Sequence, residues 1–382
     1  MGPGPSDIHS RVLQALGRPV ICRLDPELVI MMDEIKVRLH YAFQTNNELT
    51  LPISGPGSAG METCFVNLVE PGDTIIVCVN GVFGGRMVEN VERCGATAIK
   101  VEDDWGTPVS LQKVEDALKA NPGAKALAFV HAETSTGVQS DAAALSKLAR
   151  EHGALTIMDA VTSLAGIPVM VDEWQIDACY SGTQKCMSCV PGISPVTFSK
   201  KALDVIRSRN HKVQSWFMDM NLIMGYWGSG GQTRSYHHTA PVNALYALHE
   251  SLVMVKEEGI EAAWKRHRKM HEALKAGLEV LGLTLLVDEP YRLAQLNTVK
   301  IPDGIDEAQV RRRLLNEYGI EIGAGLGALA GKVWRIGLMG QSASPRHVTL
   351  VLSALEGVLA DMGVALKGTG AAQAAQRVLL KA

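Results

Sequence analysis

The sequence predicts an α/β fold, with a large domain on a mostly parallel sheet followed by a smaller α+β domain. Three observations predict it. Apolar runs of strand length alternate with helical patterns, 37 glycines in 382 residues supply the turns, and beyond roughly residue 245 the pattern changes to long helices. The strand-length runs are TIIVCVN (74–80), KALAFV (125–130), ALTIMDA (154–160), DACYSG (177–182) and ISPVTFS (193–199). Between them stand helical segments such as GRMVENVERCG and AAALSKLAREHG, the alternation of a parallel sheet with covering helices. The later part begins with ALYALHESLVMVKEEG and EAAWKRHRKMHEALKAGLEVLG, continues through TVKIP and KVWRIGL, and ends in an alanine-rich terminal helix. The expected division is an amino-terminal arm over 1–20, a large domain over 21–255 and a small domain over 256–382.

Composition excludes several function classes. Lys and Arg number 37 against 40 Asp and Glu, for a net charge of −3, and no basic stripe follows any helix, so nucleic acid is not an expected partner. The start, MGPGPSDIHS, lacks the basic and apolar regions of a leader, and no apolar run reaches about 18 residues. A cytoplasmic protein without a membrane partner is expected. Seven cysteines scattered through apolar segments read as reduced core thiols rather than a disulfide framework.

GPGSAG at 55–60 has the G-x-G-x-x-G spacing of a dinucleotide fingerprint. That reading wants an acid at the end of the next strand, and TIIVCVN ends in Asn80. A glycine turn opening a helix also binds one phosphate through backbone N–H groups, for which Gly57, Ser58 and Ala59 are placed; the same loop can be a turn without a ligand. Asp159 closes ALTIMD, where strand carboxyl ends face the ligand crevice of an α/β sheet, and Lys185 follows in SGTQKC. As a helix cap Asp159 would leave Lys185 unexplained. Together they fit pyridoxal 5'-phosphate, with Lys185 as the Schiff-base amine and Asp159 paired to the pyridine nitrogen. Arg335 in KVWRIGL either pairs with a neighbouring acid or clamps a substrate carboxylate with its guanidinium fork. Cys186 and Cys189 have C-x-x-C spacing without a second pair, so no metal is expected. His237 and His238, taken as strand neighbours, point to opposite faces and suit a structural or interface role.

With these residues in view, the chain resembles the class V, fold-type I pyridoxal-phosphate aminotransferases, in the alanine/serine/ureidoglycine–glyoxylate group. The resemblance runs through PGP (3–5), LDPE (24–27), FQT (43–45), GPGSAG, NGVFG (80–84), HAETSTG (131–137), MDAVTS (158–163), DEWQID (172–177), SGTQK (181–185), YHHT (236–239) and GKVWRIGLMG (331–340). It implies a seven-stranded-type sheet, with Phe83 and Val161 on the two faces of the cofactor ring and Thr134 near its hydroxyl. Gln184, Ser58 and Ala59 would hold the phosphate, and Tyr236 and Thr239 would reach the phosphate of the neighbouring subunit, so that a homodimer shares the active site. Arg335 would bind the substrate carboxylate. Pro56 and Ser58 stand where the animal alanine–glyoxylate branch carries Ser and His, so backbone contacts to the phosphate are expected ahead of side-chain ones from this loop. PGP lies almost at Met1, where relatives have a preceding apolar segment, so a trimmed arm is expected.

The resemblance implies ping-pong transamination of alanine or serine with glyoxylate. TQKCMS and DEWQID also resemble the ureidoglycine branch, which has amides where this chain has Tyr236 and Arg23; an amide-bearing substrate needs amide partners, because an unmatched buried polar group costs about 1–3 kcal/mol. Arg23 would also suit an acidic donor such as aspartate. A lyase or desulfurase shares the fold, but those carry a His over the ring and a mobile Cys loop, against Phe83 here. A cofactor-free binding protein would have lost Lys185, Asp159 or Arg335.

Overall fold

The computed structural model describes residues 1–22, 25–229 and 234–381. After a short helix α1 (Ser10–Leu16), α2 (Pro26–Phe43) begins where Asp25 accepts a hydrogen bond from the Glu27 amide (2.9 Å) and Pro26 takes the first helical position. This is the structural content of the DPE motif. Next in order are β1 (Leu49–Ser54), α3 (Gly57–Leu68), β2 (Thr74–Val79), α4 (Val82–Arg93), β3 (Thr97–Glu102), α5 (Leu111–Ala120) and β4 (Ala126–Val130). A small ribbon of β5 (Ala132–Glu133) and β6 (Val138–Gln139) leads to α6 (Ala142–Glu151), β7 (Leu155–Asp159), β8 (Ala178–Tyr180) and β9 (Ile193–Phe198).

Seven of these strands form one sheet in the order β1-β9-β8-β7-β4-β2-β3. β9 runs against both of its neighbours, and every other pairing is parallel. The central strands β4 and β7 are buried along their whole length, as expected of a parallel sheet covered on both faces. Ile157 in β7 is fully buried, and its truncation to alanine would cost about 2–5 kcal/mol. Edge strand β3, TAIKVE, is mostly open to solvent and has no apolar run, so its residues carry little strand signal.

The chain continues through α7 (Lys200–Arg207), α8 (Met220–Trp227), α9 (Val242–Glu258) and α10 (Ile260–Leu281), the last two parted at Gly259. Beyond them come β10 (Leu296–Lys300), α11 (Glu307–Tyr318), β11 (Gly323–Ala324), β12 (Val333–Gly337), α12 (Pro345–Asp361) and α13 (Ala371–Leu379). β12 is the middle strand of an antiparallel sheet, β10-β12-β11. Two apolar cores result. One surrounds the large sheet; the other joins Met270 and the later face of α10 to β12, α11, α12 and α13. Among the described residues no helix is long and apolar enough to cross a membrane.

Candidate active site

The carboxyl ends of β1, β7 and β8 lie at one rim of the large sheet, and Gly57, Asp159 and Lys185 follow them there. α3 opens at Gly57 behind Pro56, whose ring offers no capping group, whereas α5, α6 and α7 are each capped by the side chain before them. The Ala59 amide turns back onto the Pro56 carbonyl (2.7 Å), so Gly57 and Ser58 carry the amides that a helix start leaves without partners in the helix. A Cβ at Gly57 would stand 3.2 Å from Val161 Cγ2 and 3.6 Å from Gly182 Cα, which shows how closely three loops meet. Beside them is Gln184, whose buried side-chain oxygen has no partner among the described residues and would lie 2.9 Å from a Cβ at Gly182. An amide in that position can present either its oxygen or its NH2.

Asp159 ends β7 in register with Tyr180 of β8. Its carboxylate accepts from the Val161 amide (2.8 Å) and from the Tyr180 hydroxyl (2.8 Å). Burial drives its pKa up to about 7, against those two hydrogen bonds, and the nearby charge of Glu133 pushes the same way. Lys185 is partly buried; desolvation brings its pKa down to about 8, with the Arg335 charge assisting. Its ammonium donates to the Pro3 carbonyl. Thr134 and Thr162 share a buried hydroxyl pair at 2.5 Å. Phe83 stands in the first turn of α4, with the Arg86 guanidinium over its ring (4.8 Å). Its amide donates to Glu133 Oε2 (3.2 Å), so a buried acid from the neighbouring loop serves as the missing cap of α4.

Arg335, only 7% exposed, projects from β12. It donates from Nε to the Ala324 carbonyl (2.7 Å) and from Nη1 to the Thr134 carbonyl (3.1 Å). Among the described residues it makes no ion pair within 4.0 Å, so the reading of Arg335 as one half of an internal pair fails. Its nearest acid influence, Glu133, is felt only through space. A buried guanidinium held by neutral carbonyls keeps its positive charge uncompensated, and burial lowers its pKa accordingly.

The aminotransferase class-V family profile matches residues 17–339. The chain belongs to the class-V aminotransferases. It is 41% identical to the alanine–glyoxylate aminotransferase of Oryctolagus cuniculus over 360 residues, covering 94% of this chain and 92% of that one. Among solved structures, the alanine–glyoxylate aminotransferase of Nostoc sp. superposes with a TM-score of 0.91 at 46% identity, covering 94% of each chain. The ureidoglycine–glyoxylate aminotransferase of Bacillus subtilis superposes at 0.95 with 38% identity, covering 100% of this chain and 97% of that one.

Class-V aminotransferases depend on pyridoxal 5'-phosphate, and the residues here fit that group. The uncapped start of α3 and the orphaned Gln184 amide suit an anion. Lys185 is the amine beside them, and Asp159 is a buried acid that pairs with no cation among the described residues.

Other expectations fare differently. Tyr236 and Thr239 lie exposed at the surface, their hydroxyls 3.2 Å apart. The stretch holding His237 and His238 is not a strand, and the two rings do not point apart: their Nδ1 atoms are 2.8 Å from one another, and His238 Nε2 reaches Ser54 Oγ (2.7 Å). The premise of alternating faces was wrong because it assumed extended pairing. Cys186 and Cys189 are buried free thiols, each pushed up to about 12 by burial, and the Cys186 thiol donates to the Thr162 carbonyl (3.4 Å). Among the described residues no cluster could hold a metal ion. Arg23, on which the acidic-donor reading rested, lies outside the described residues. Sequence reasoning missed Tyr180, Glu133 and the Pro3–Gly4 segment. Tyr180 ends DACY beside Asp159 and was legible once the two strands were paired; Glu133 is an acid inside an otherwise apolar and hydroxyl-bearing stretch.

Proposed function

We propose that this chain transfers the amino group of a small amino acid, alanine or serine, to glyoxylate, giving glycine and a 2-keto acid. The observation that carries this reading is the buried Arg335 guanidinium, bonded among the described residues to two carbonyls and close enough to Lys185 to depress its pKa. An α-amino acid bears an anion and an amine, and the site offers a cation that the anion can meet and an amine that feels that cation's charge. The glyoxylate specificity is supported by the names of the relatives of Oryctolagus cuniculus, Nostoc and Bacillus subtilis.

In this reading Lys185 would hold the cofactor covalently and Asp159 would pair with its ring nitrogen. Phe83 and Val161 would cover the ring, Thr134 would lie by its hydroxyl, and Gly57, Ser58, Ala59 and Gln184 would hold the phosphate. Bound there, pyridoxal phosphate supplies an electron sink for the pair left when a Cα–H bond breaks. Once the amino group of the donor has replaced it, the freed Lys185 amine can take the Cα proton and return it, since a pKa of about 8 leaves roughly a tenth of it neutral at pH 7. Asp159, whose pKa burial and the Glu133 charge raise to about 7, would be held ionised by a cation placed against it. Tyr236 and Thr239 of one subunit reach the phosphate bound by its partner, which makes a homodimer the working unit; their exposure supports this. A cytoplasmic setting is supported by six buried free thiols.

The test is the visible absorption of the purified holoenzyme, recorded with L-alanine and then with glyoxylate. Loss of the band with alanine and its return with glyoxylate is the expected result. A band indifferent to alanine and serine overturns the donor assignment, and a response to (S)-ureidoglycine alone would place the enzyme with the Bacillus subtilis relative instead.

A further inference from the structure

The amino-terminal arm crosses the site instead of lying apart from it. Its far end is tied to the small sheet, where the Gly337 amide donates to the Met1 carbonyl (2.8 Å). Pro3 then packs on Gly323, the residue paired with Arg335 across the sheet: a Cβ at Gly323 would be 2.7 Å from Pro3 Cδ and 3.4 Å from Arg335 Cβ. Gly4 lies directly on Lys185. A Cβ there would stand 2.7 Å from both Cδ and Nζ, and its φ of +98° is a conformation that side-chain-bearing residues rarely adopt. The near end is tied to the lysine loop. The Ser6 amide donates to the Gln184 carbonyl (2.9 Å), its hydroxyl donates to the Lys185 carbonyl (2.7 Å), and the Asp7 amide donates to Ser342 Oγ (3.0 Å). Asp7 also meets His347 at 2.6 Å.

We propose that the backbone of Pro3 and Gly4 is the wall against which the substrate side chain packs, so that the arm sets the size of the amino donor. This rests on the assignment of Lys185 and Arg335 given above. With the carboxylate at Arg335 and the nitrogen at Lys185, the third substituent on Cα faces whatever lines the span between them. The arm lines that span, touching Gly323 beside Arg335 at one end and Lys185 at the other. Glycine at position 4 lets main chain approach the amine with no side chain between, which sets the wall close to the amine and favours a small side chain on the donor.

Two variants test it, Gly4→Ala and a deletion of residues 2–5. Each is compared with the intact enzyme in kcat/KM for alanine, serine and norvaline. For the deletion, the preference for alanine over norvaline falls by about tenfold or more, the worth of a methylene or two in a fitted pocket. A preference unchanged within about twofold overturns the proposal. Gly4→Ala narrows the same space, so its ratio of alanine to serine rises; an unchanged ratio likewise counts against the wall, and this variant decides if the deletion does not fold. A second readout needs no turnover. In cofactor-free protein, labelling of Lys185 by an amine-reactive reagent, followed by peptide mass, is faster in the deletion if the arm covers the amine and unaltered if it does not. An intact enzyme that answers no donor would sink the transaminase reading, while the labelling rate would still judge the arm.

Discussion

On the large-sheet side of the site, Asp159 is held by Tyr180 and the Val161 amide, and Phe83 is set by a helix start that Glu133 caps. On the small-sheet side, Arg335 is held by two backbone carbonyls, and the span beside it is covered by the amino-terminal arm. On the first side Asp159 and the start of α4 are matched by other protein groups, while the opening of α3 and the Gln184 amide stand ready for an anion. The second is a charge without a counter-charge among the described residues. The difference suits a division of labour in which one side keeps a resident group in a fixed pose and the other side awaits an anion that arrives and leaves with each turnover.

The comparison can be broken most severely at the lysine between the two sides. Lys185→Ala is expected to lower kcat by about 10^2 to 10^4 from lost proton transfer alone, measured in the alanine–glyoxylate assay. On the small-sheet side, Arg335→Lys keeps the charge and loses the planar fork. The expected result is a drop in kcat/KM for amino donors of about 10- to 100-fold, most of it in KM, as for the loss of a charge-assisted hydrogen bond. A drop of that size in kcat with KM unchanged would place Arg335 in the transition state rather than in ground-state binding.

Legibility in the sequence divides along the same line. The strand ends were readable because apolar runs stop at Asp159 and at Ser54, and residues just past a strand end in such a sheet lie at the rim. Lys185 was readable by its place after β8. The partners of Arg335 were not, since Thr134 precedes it by some two hundred residues and meets it only through the packing of two sheets. The arm was least legible of all: Pro3 and Gly4 reach Lys185 through backbone atoms, which leave no trace in residue type beyond a glycine among prolines. His237 and His238 misled because a period of two was applied to a segment that is not a strand.

A gentler probe of the large-sheet side is the pH dependence of cofactor-free protein. Asp159 has a folded-state pKa raised from 3.8 to about 7, so between those values the native state holds a proton that the unfolded state has released. Stability contributed by this group is therefore largest below pH 4 and declines as pH rises toward 7, by an amount on the order of a few kcal/mol. Asp159→Asn removes the titration. The urea midpoint of the variant, compared with the parent across pH 4 to 7, is expected to flatten; parallel curves would mean that Asp159 is not the source.

The smallest expected effect is at Tyr180, and it separates positioning from packing. The Tyr180 hydroxyl donates to Asp159 and thereby favours its ionised form, against burial and the Glu133 charge. Tyr180→Phe removes that donor with little change of shape, so the Asp159 pKa moves further upward. If the ionised carboxylate is the working form, the acid limb of the kcat/KM profile moves to higher pH by up to about one unit, the equivalent of one hydrogen bond of about 1 kcal/mol. A residue that only fills space would change the thermal midpoint and leave the limb where it was. Because the two strands place Asp159 and Tyr180 side by side in register, the sheet itself would then be setting the charge state of the acid proposed to meet the cofactor ring.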